Sequence, residues 1–119
     1  MNEGVPKEIR GYKTADGRRP FWDWLFALKD KQARRVLLNR VERFMEGNPG
    51  QWRSIGNGVC ELKISLGPGY RIYYGEVDKT LVILLCGGDK SSQQRDIEKA
   101  YHYWADYKRR TYGTESQLS

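Results

Sequence analysis

The stretch from Gly58 to Glu76 constrains the fold more than any other part of the chain. Cys60, Leu62, Ile64 and Leu66 alternate with Val59, Glu61, Lys63 and Ser65, which is the two-residue period of a strand with one apolar face. Gly67-Pro68-Gly69 interrupts the pattern, and Tyr70, Ile72 and Tyr74 then alternate with Arg71, Tyr73 and Gly75. The spacing predicts a β-hairpin. A three-residue loop pairs Leu66 with Tyr70, Ser65 with Arg71 and Lys63 with Tyr73, so both apolar rows fall on one face. A two-residue loop would set an apolar row against a polar one, so the three-residue reading is preferred. Glu61, Lys63, Ser65, Arg71 and Tyr73 therefore share the other face.

The remaining elements are read around this hairpin. Residues 7–14 suit a first strand. Asp16-Gly17 is a bend, and Pro20 opens a short helix on which Phe21, Trp24, Leu25 and Leu28 recur at helical spacing. Asp30 is placed to cap a second helix, whose apolar stripe is Ala33, Val36, Leu37, Val41 and Phe44. Gly47-Asn48-Pro49-Gly50 stops it. Leu81 to Cys86 is a continuous apolar run, as expected for a strand covered on both faces. A last helix starts near Ser91, which has capping-box spacing to Gln94, and carries Ile97, Ala100, Tyr101, Trp104 and Tyr107 inward. It is expected to close at Lys108-Arg109-Arg110. One domain over residues 1–110 and a flexible tail over 111–119 are the expected organisation.

Composition narrows the class. The chain has 119 residues, enough for one domain with a modest core. Its 13% aromatic content excludes a disordered chain. Two cysteines cannot form a disulfide framework. No apolar run reaches membrane-spanning length and the N-terminus lacks a signal-peptide core, so a soluble cytoplasmic protein without membrane association is expected. A net charge of +6 points to an anionic partner.

Few residues suggest chemistry. His102 is the one histidine and reads as a packing or surface residue. Cys60 and Cys86 read as core, and their spacing with His102 gives no metal site. Gly87-Gly88 before a helix could bind a phosphate, though a tight turn explains it more simply. The second helix, with six basic and three acidic residues over 29–46, reads as a solvated face or as a surface for RNA or an acidic partner. Lys63, Arg71 and Tyr73 are different. Two cations on one sheet face repel unless an anion lies between them. Either Glu61 is that anion within the fold, or a phosphate is bound there.

The runs GVCELKISLGPGYRIYY and LLCGGDKSSQQRDIEKA, with PFWDWLFALKD and RFMEGNPGQW before them, resemble the HigB-like addiction-module killer proteins of the RelE/ParE toxin superfamily. The resemblance covers about residues 8–110. It implies an α+β, RelE-like fold, with two N-terminal helices packed on a small antiparallel sheet and a C-terminal helix. It implies the toxin of a type II toxin–antitoxin system, partnered by a HigA-like helix-turn-helix antitoxin and acting on mRNA at the ribosome.

Carried onto this sequence, the resemblance makes Arg71, Lys63 and Lys90 catalytic, with Tyr73 added because it shares their face. Glu61, Asp89 and Arg95 become substrate-binding residues. The activity it implies is ribosome-dependent endoribonuclease cleavage by 2′-hydroxyl attack, which needs neither metal nor cofactor. A ParE-like toxin that binds DNA gyrase without cutting RNA is the alternative.

Overall fold

The hairpin around Gly67-Pro68-Gly69 lies inside a larger sheet. The computed structural model describes residues 4–118, with side chains as far as Gly113. Strands β1 (Glu8–Gly11), β2 (Trp52–Gly56), β3 (Val59–Ile64), β4 (Tyr70–Val77) and β5 (Leu81–Asp89) form one sheet in the order β1-β5-β4-β3-β2. Three pairings are antiparallel, but β1 runs parallel to β5. The sheet is therefore mixed and five-stranded, which corrects the expected small antiparallel sheet beneath two N-terminal helices. A parallel first strand pairs with residues some seventy positions away, and local alternation carries no record of that partner.

Two helical layers flank the sheet. Helices α1 (Pro20–Ala27) and α2 (Lys31–Met45) cover one face, where Phe21, Leu25, Leu37 and Phe44 pack on Leu62, Ile72, Tyr74 and Leu84. Pro20 starts α1 as expected. Asp30 caps α2, accepting from the backbone N–H groups of Gln32 and Ala33 at 3.0 and 3.1 Å. Helix α3 (Gln93–Leu118) covers part of the opposite face, packing Ala100 and Trp104 on Val59, Tyr73, Ile83 and Leu85. Gly75 makes this approach possible, because a Cβ there would lie 2.5 Å from the Trp104 ring. Among the described residues no helix is long and apolar enough to cross a membrane.

Both ends of α3 differ from expectation. A 3-10 turn over Lys90–Ser92 precedes it, and Asp89 rather than Ser91 is the cap, accepting from the Ser91 N–H at 2.9 Å. At the other end the helix continues past Arg110 to Leu118, through most of the segment expected as a tail; Ser119 lies outside the described residues. Tyr107 and Tyr112 carry the ring contacts beyond Trp104, so the basic triplet sits mid-helix.

The hairpin register also differs. Ile64 pairs with Tyr70 and Lys63 with Arg71, so the connection spans five residues, 65–69. The slip is of two positions, which preserves every side chain's facing. The shared polar face is thus as expected, while the neighbours across it are not.

Candidate functional site

β3 and β4 set two polar pairs side by side: Glu61 opposite Tyr73, and Lys63 opposite Arg71. Helix α3 roofs the first pair; in the second Arg71 is buried and only Lys63 is exposed. Glu61 is 3% exposed. Its carboxylate accepts from Arg53 Nε at 2.9 Å on β2 and from Gln93 Nε2 at 3.0 Å at the start of α3. It therefore ties three elements together before it meets any ligand.

Arg71 is buried to 7% exposure. Its Nη1 donates to the Gly69 carbonyl at 2.9 Å. Its Nε lies 3.9 Å from Glu61 Oε2, close enough for an ion pair but without a hydrogen bond. The guanidinium is consequently charge-compensated but not donor-saturated. A phosphate at this arginine would meet a guanidinium already desolvated and held in place.

Two depressions meet at this arginine. One, of about 380 Å³, is bordered by Gln51, Arg53, Glu61, Lys63, Arg71 and Gln93. The other, of about 410 Å³, is bordered by Lys63, the loop from Ser65 to Gly69, Arg71 and Lys90. Lys63 and Lys90 are exposed and form no ion pair among the described residues. Lys63 and Arg71 thus border both depressions, Glu61 the first and Lys90 the second.

The other candidates are placed elsewhere. Tyr73 is fully buried among Val59, Ile83, Cys86 and Trp104. Burial first, and the nearby Glu61 charge second, push its phenol far above the ordinary tyrosine range. With no accessible surface it does not meet a substrate bound on this face, which corrects its catalytic assignment. Asp89 and Arg95 border a separate depression with Trp24, Gly87, Gly88 and Lys99. The Asp89 carboxyl is held below its usual range by the Ser91 hydroxyl, with backbone N–H groups and the charge of Arg71 adding to the effect. Its oxygen is engaged as the helix cap.

Arg53 and Gln93 belong to the site and were not anticipated. Strand β2 is exposed at four of five positions and shows no alternation. The one local signal is Asn57-Gly58, where both residues have positive φ (56° and 80°), the two-residue turn that joins adjacent strands. A regular hairpin from that turn sets Ser54 opposite Glu61. A bulge between Ser54 and Gly56 brings Arg53 there instead.

No protein-family model matches the chain. It is similar to an uncharacterized protein of Haemophilus influenzae, with 45% identity over 80 residues, 67% of this chain and 81% of that one. The chain belongs to that protein's family. In this member of the family, Lys63, Arg71 and Lys90 outnumber Glu61, the one carboxylate that borders these two depressions among the described residues, and Arg53 already engages it. The open end of the sheet face is electropositive and suited to phosphate or another multivalent oxyanion.

Proposed function

We propose that this protein is the HigB-like toxin of a type II toxin–antitoxin pair, an endoribonuclease that cuts mRNA during translation in the cytoplasm. The observation that carries the reading is Arg71: a buried guanidinium at the meeting of two depressions, directly across from Lys63, which has no ion-pair partner among the described residues, and beside Lys90. Arg71 holds the scissile phosphate and stabilises the charge that grows on it. The substrate's 2′-oxygen bonds to phosphorus and its proton passes to solvent water. The bond to the 5′-oxygen breaks, giving a 2′,3′-cyclic phosphate and a free 5′-hydroxyl. An ammonium of Lys63 or Lys90 protonates the departing oxygen and regains its proton from solvent. With Tyr73 buried, no side chain of this site is assigned as base. Alignment of the 2′-oxygen is assigned to the ribosome, which fixes the strand. The antitoxin is a HigA-like partner that neutralises the site.

Primer extension on mRNA from induced cells tests this. Discrete new 5′ ends within coding sequence are the expected result. Intact transcripts with chromosomal breaks would overturn it in favour of gyrase poisoning.

A further inference from the structure

A third depression adjoins the site on the α2 side of the sheet rim. It measures about 520 Å³ and is bordered by Arg40 and Arg43 of α2, by Asn48 and Gln51, and by Lys63, Ile64 and Ser65 at the end of β3. No carboxylate borders it among the described residues. Lys63 and Gln51 also border the first depression, and Lys63 and Ser65 the other one that meets at Arg71. The three are one cationic surface that turns around Lys63.

The two arginines are placed for an anion. Arg40 is half-buried and held against Gly50, with its Nη2 donating to the Pro49 carbonyl at 3.2 Å. Arg43 is exposed and has no ion-pair partner among the described residues. Burial first, and the neighbouring Arg43 charge second, lower the Arg40 guanidinium from its ordinary value. Neither effect stabilises the fold, and a bound anion relieves the second. An acidic peptide would satisfy the charges too. Continuity with Arg71 through Lys63 favours a strand that carries a phosphate at every nucleotide, because one such strand meets all three depressions in turn.

We propose that the Arg40–Arg43 groove is a second phosphate subsite, holding the same single-stranded RNA that enters the Arg71 depression. The subsite rests on the reading of the Arg71 site as an RNA site. It binds and positions the strand and takes no part in bond breaking.

The test is fluorescence anisotropy of a labelled 12-nucleotide single-stranded RNA against the full-length protein, titrated over a range of NaCl concentrations. Arg40→Gln/Arg43→Gln is compared with Lys31→Gln/Arg35→Gln, a charge-matched pair on the same helix that does not border the groove. Loss of two phosphate contacts lowers the slope of log affinity against log salt by about 1.4 and weakens binding about 25-fold near 0.1 M salt. The Lys31/Arg35 variant keeps the wild-type slope. An unchanged slope in the Arg40/Arg43 variant overturns the subsite, as does wild-type protein that binds no RNA. A labelled oligoglutamate whose binding falls in that variant while RNA binding does not overturns it in favour of a protein-docking groove. Cleaved transcripts in cells together with an unchanged slope leave the nuclease reading standing and remove only the subsite. A lost slope without cleavage does the reverse.

Discussion

Lys63 and Arg71 face one another directly across β3 and β4, one exposed and the other buried. Two cations in register destabilise a sheet unless something compensates them. Glu61 compensates only the arginine, from 3.9 Å, and Lys63 remains unpaired among the described residues. A fold selected for stability alone has no use for this pair. The remaining charge is available to a ligand.

Arg71 and Lys63 should therefore differ in what they lose on substitution. Arg71→Lys keeps a positive charge but not a fixed fork of donors, and Arg71→Ala keeps neither. Both should slow the proposed ribosome-dependent cleavage, by about 100-fold or more for the alanine variant, which is about 3 kcal/mol of transition-state stabilisation. Lys63→Ala should cost less, because its ammonium is solvated. Single-turnover cleavage on programmed ribosomes separates these cases. Full toxicity in both alanine variants would show that the site is elsewhere.

Tyr73→Phe should behave in the opposite way. The phenol oxygen is buried and makes no hydrogen bond of ordinary geometry, so removing it relieves an unsatisfied group. Stability in urea should hold or rise by about 1 kcal/mol, and cleavage should be unchanged. A large loss of activity with an intact fold would return Tyr73 to the mechanism.

Tyr73 also shows where sequence reasoning stops. Alternation placed Glu61, Lys63, Arg71 and Tyr73 on one face, and the structure agrees, because a two-position slip leaves facing unchanged. Alternation does not say how far a helix from the end of the chain will reach over that face. Trp104 was legible as an inward residue of α3, but its seat on Gly75 was not, and that seat decides that Tyr73 is roofed while Lys63 is open. The capped start of α2 at Asp30 was readable because cap and helix are neighbours in sequence. The parallel β1–β5 pairing and the bulge that sets Arg53 on Glu61 are long-range or irregular, and leave no periodic trace.

Glu61 is the residue on which charge and architecture meet. Glu61→Ala leaves the Arg71 guanidinium buried without a counter-charge, and removes the acceptor shared by β2 and α3. Such losses typically cost about 3 kcal/mol or more, readable as a lower urea midpoint. Glu61→Gln keeps one acceptor oxygen and should be milder. Because Arg71 would then be uncompensated, sulfate should protect the glutamine variant against thermal unfolding more than it protects the wild type. Equal protection would mean that Glu61 does not govern the charge of the site.

The far end of the molecule should show a pH-dependent clamp. Tyr12, just beyond β1, donates to Asp106 Oδ2 on α3 at 2.5 Å, and Arg110 Nε donates to the same oxygen at 2.9 Å. The Tyr12 hydrogen bond first, and the arginines after it, hold the Asp106 carboxyl below its ordinary 3.8. A carboxylate with a lowered pKa stabilises the fold fully above its unfolded value, and that stabilisation is lost as pH falls through the folded value. At pH 7 Asp106→Asn should therefore cost about 1.5 kcal/mol, the low end for hydrogen bonds to a charged group because the site is partly solvated. The gap between variant and wild type should stay constant down to about pH 5 and narrow below pH 4. Urea denaturation followed by tryptophan fluorescence measures it, since Trp104 lies on the same helix. A gap that widened on acidification would show that Asp106 is held by something other than its ionised hydrogen bonds.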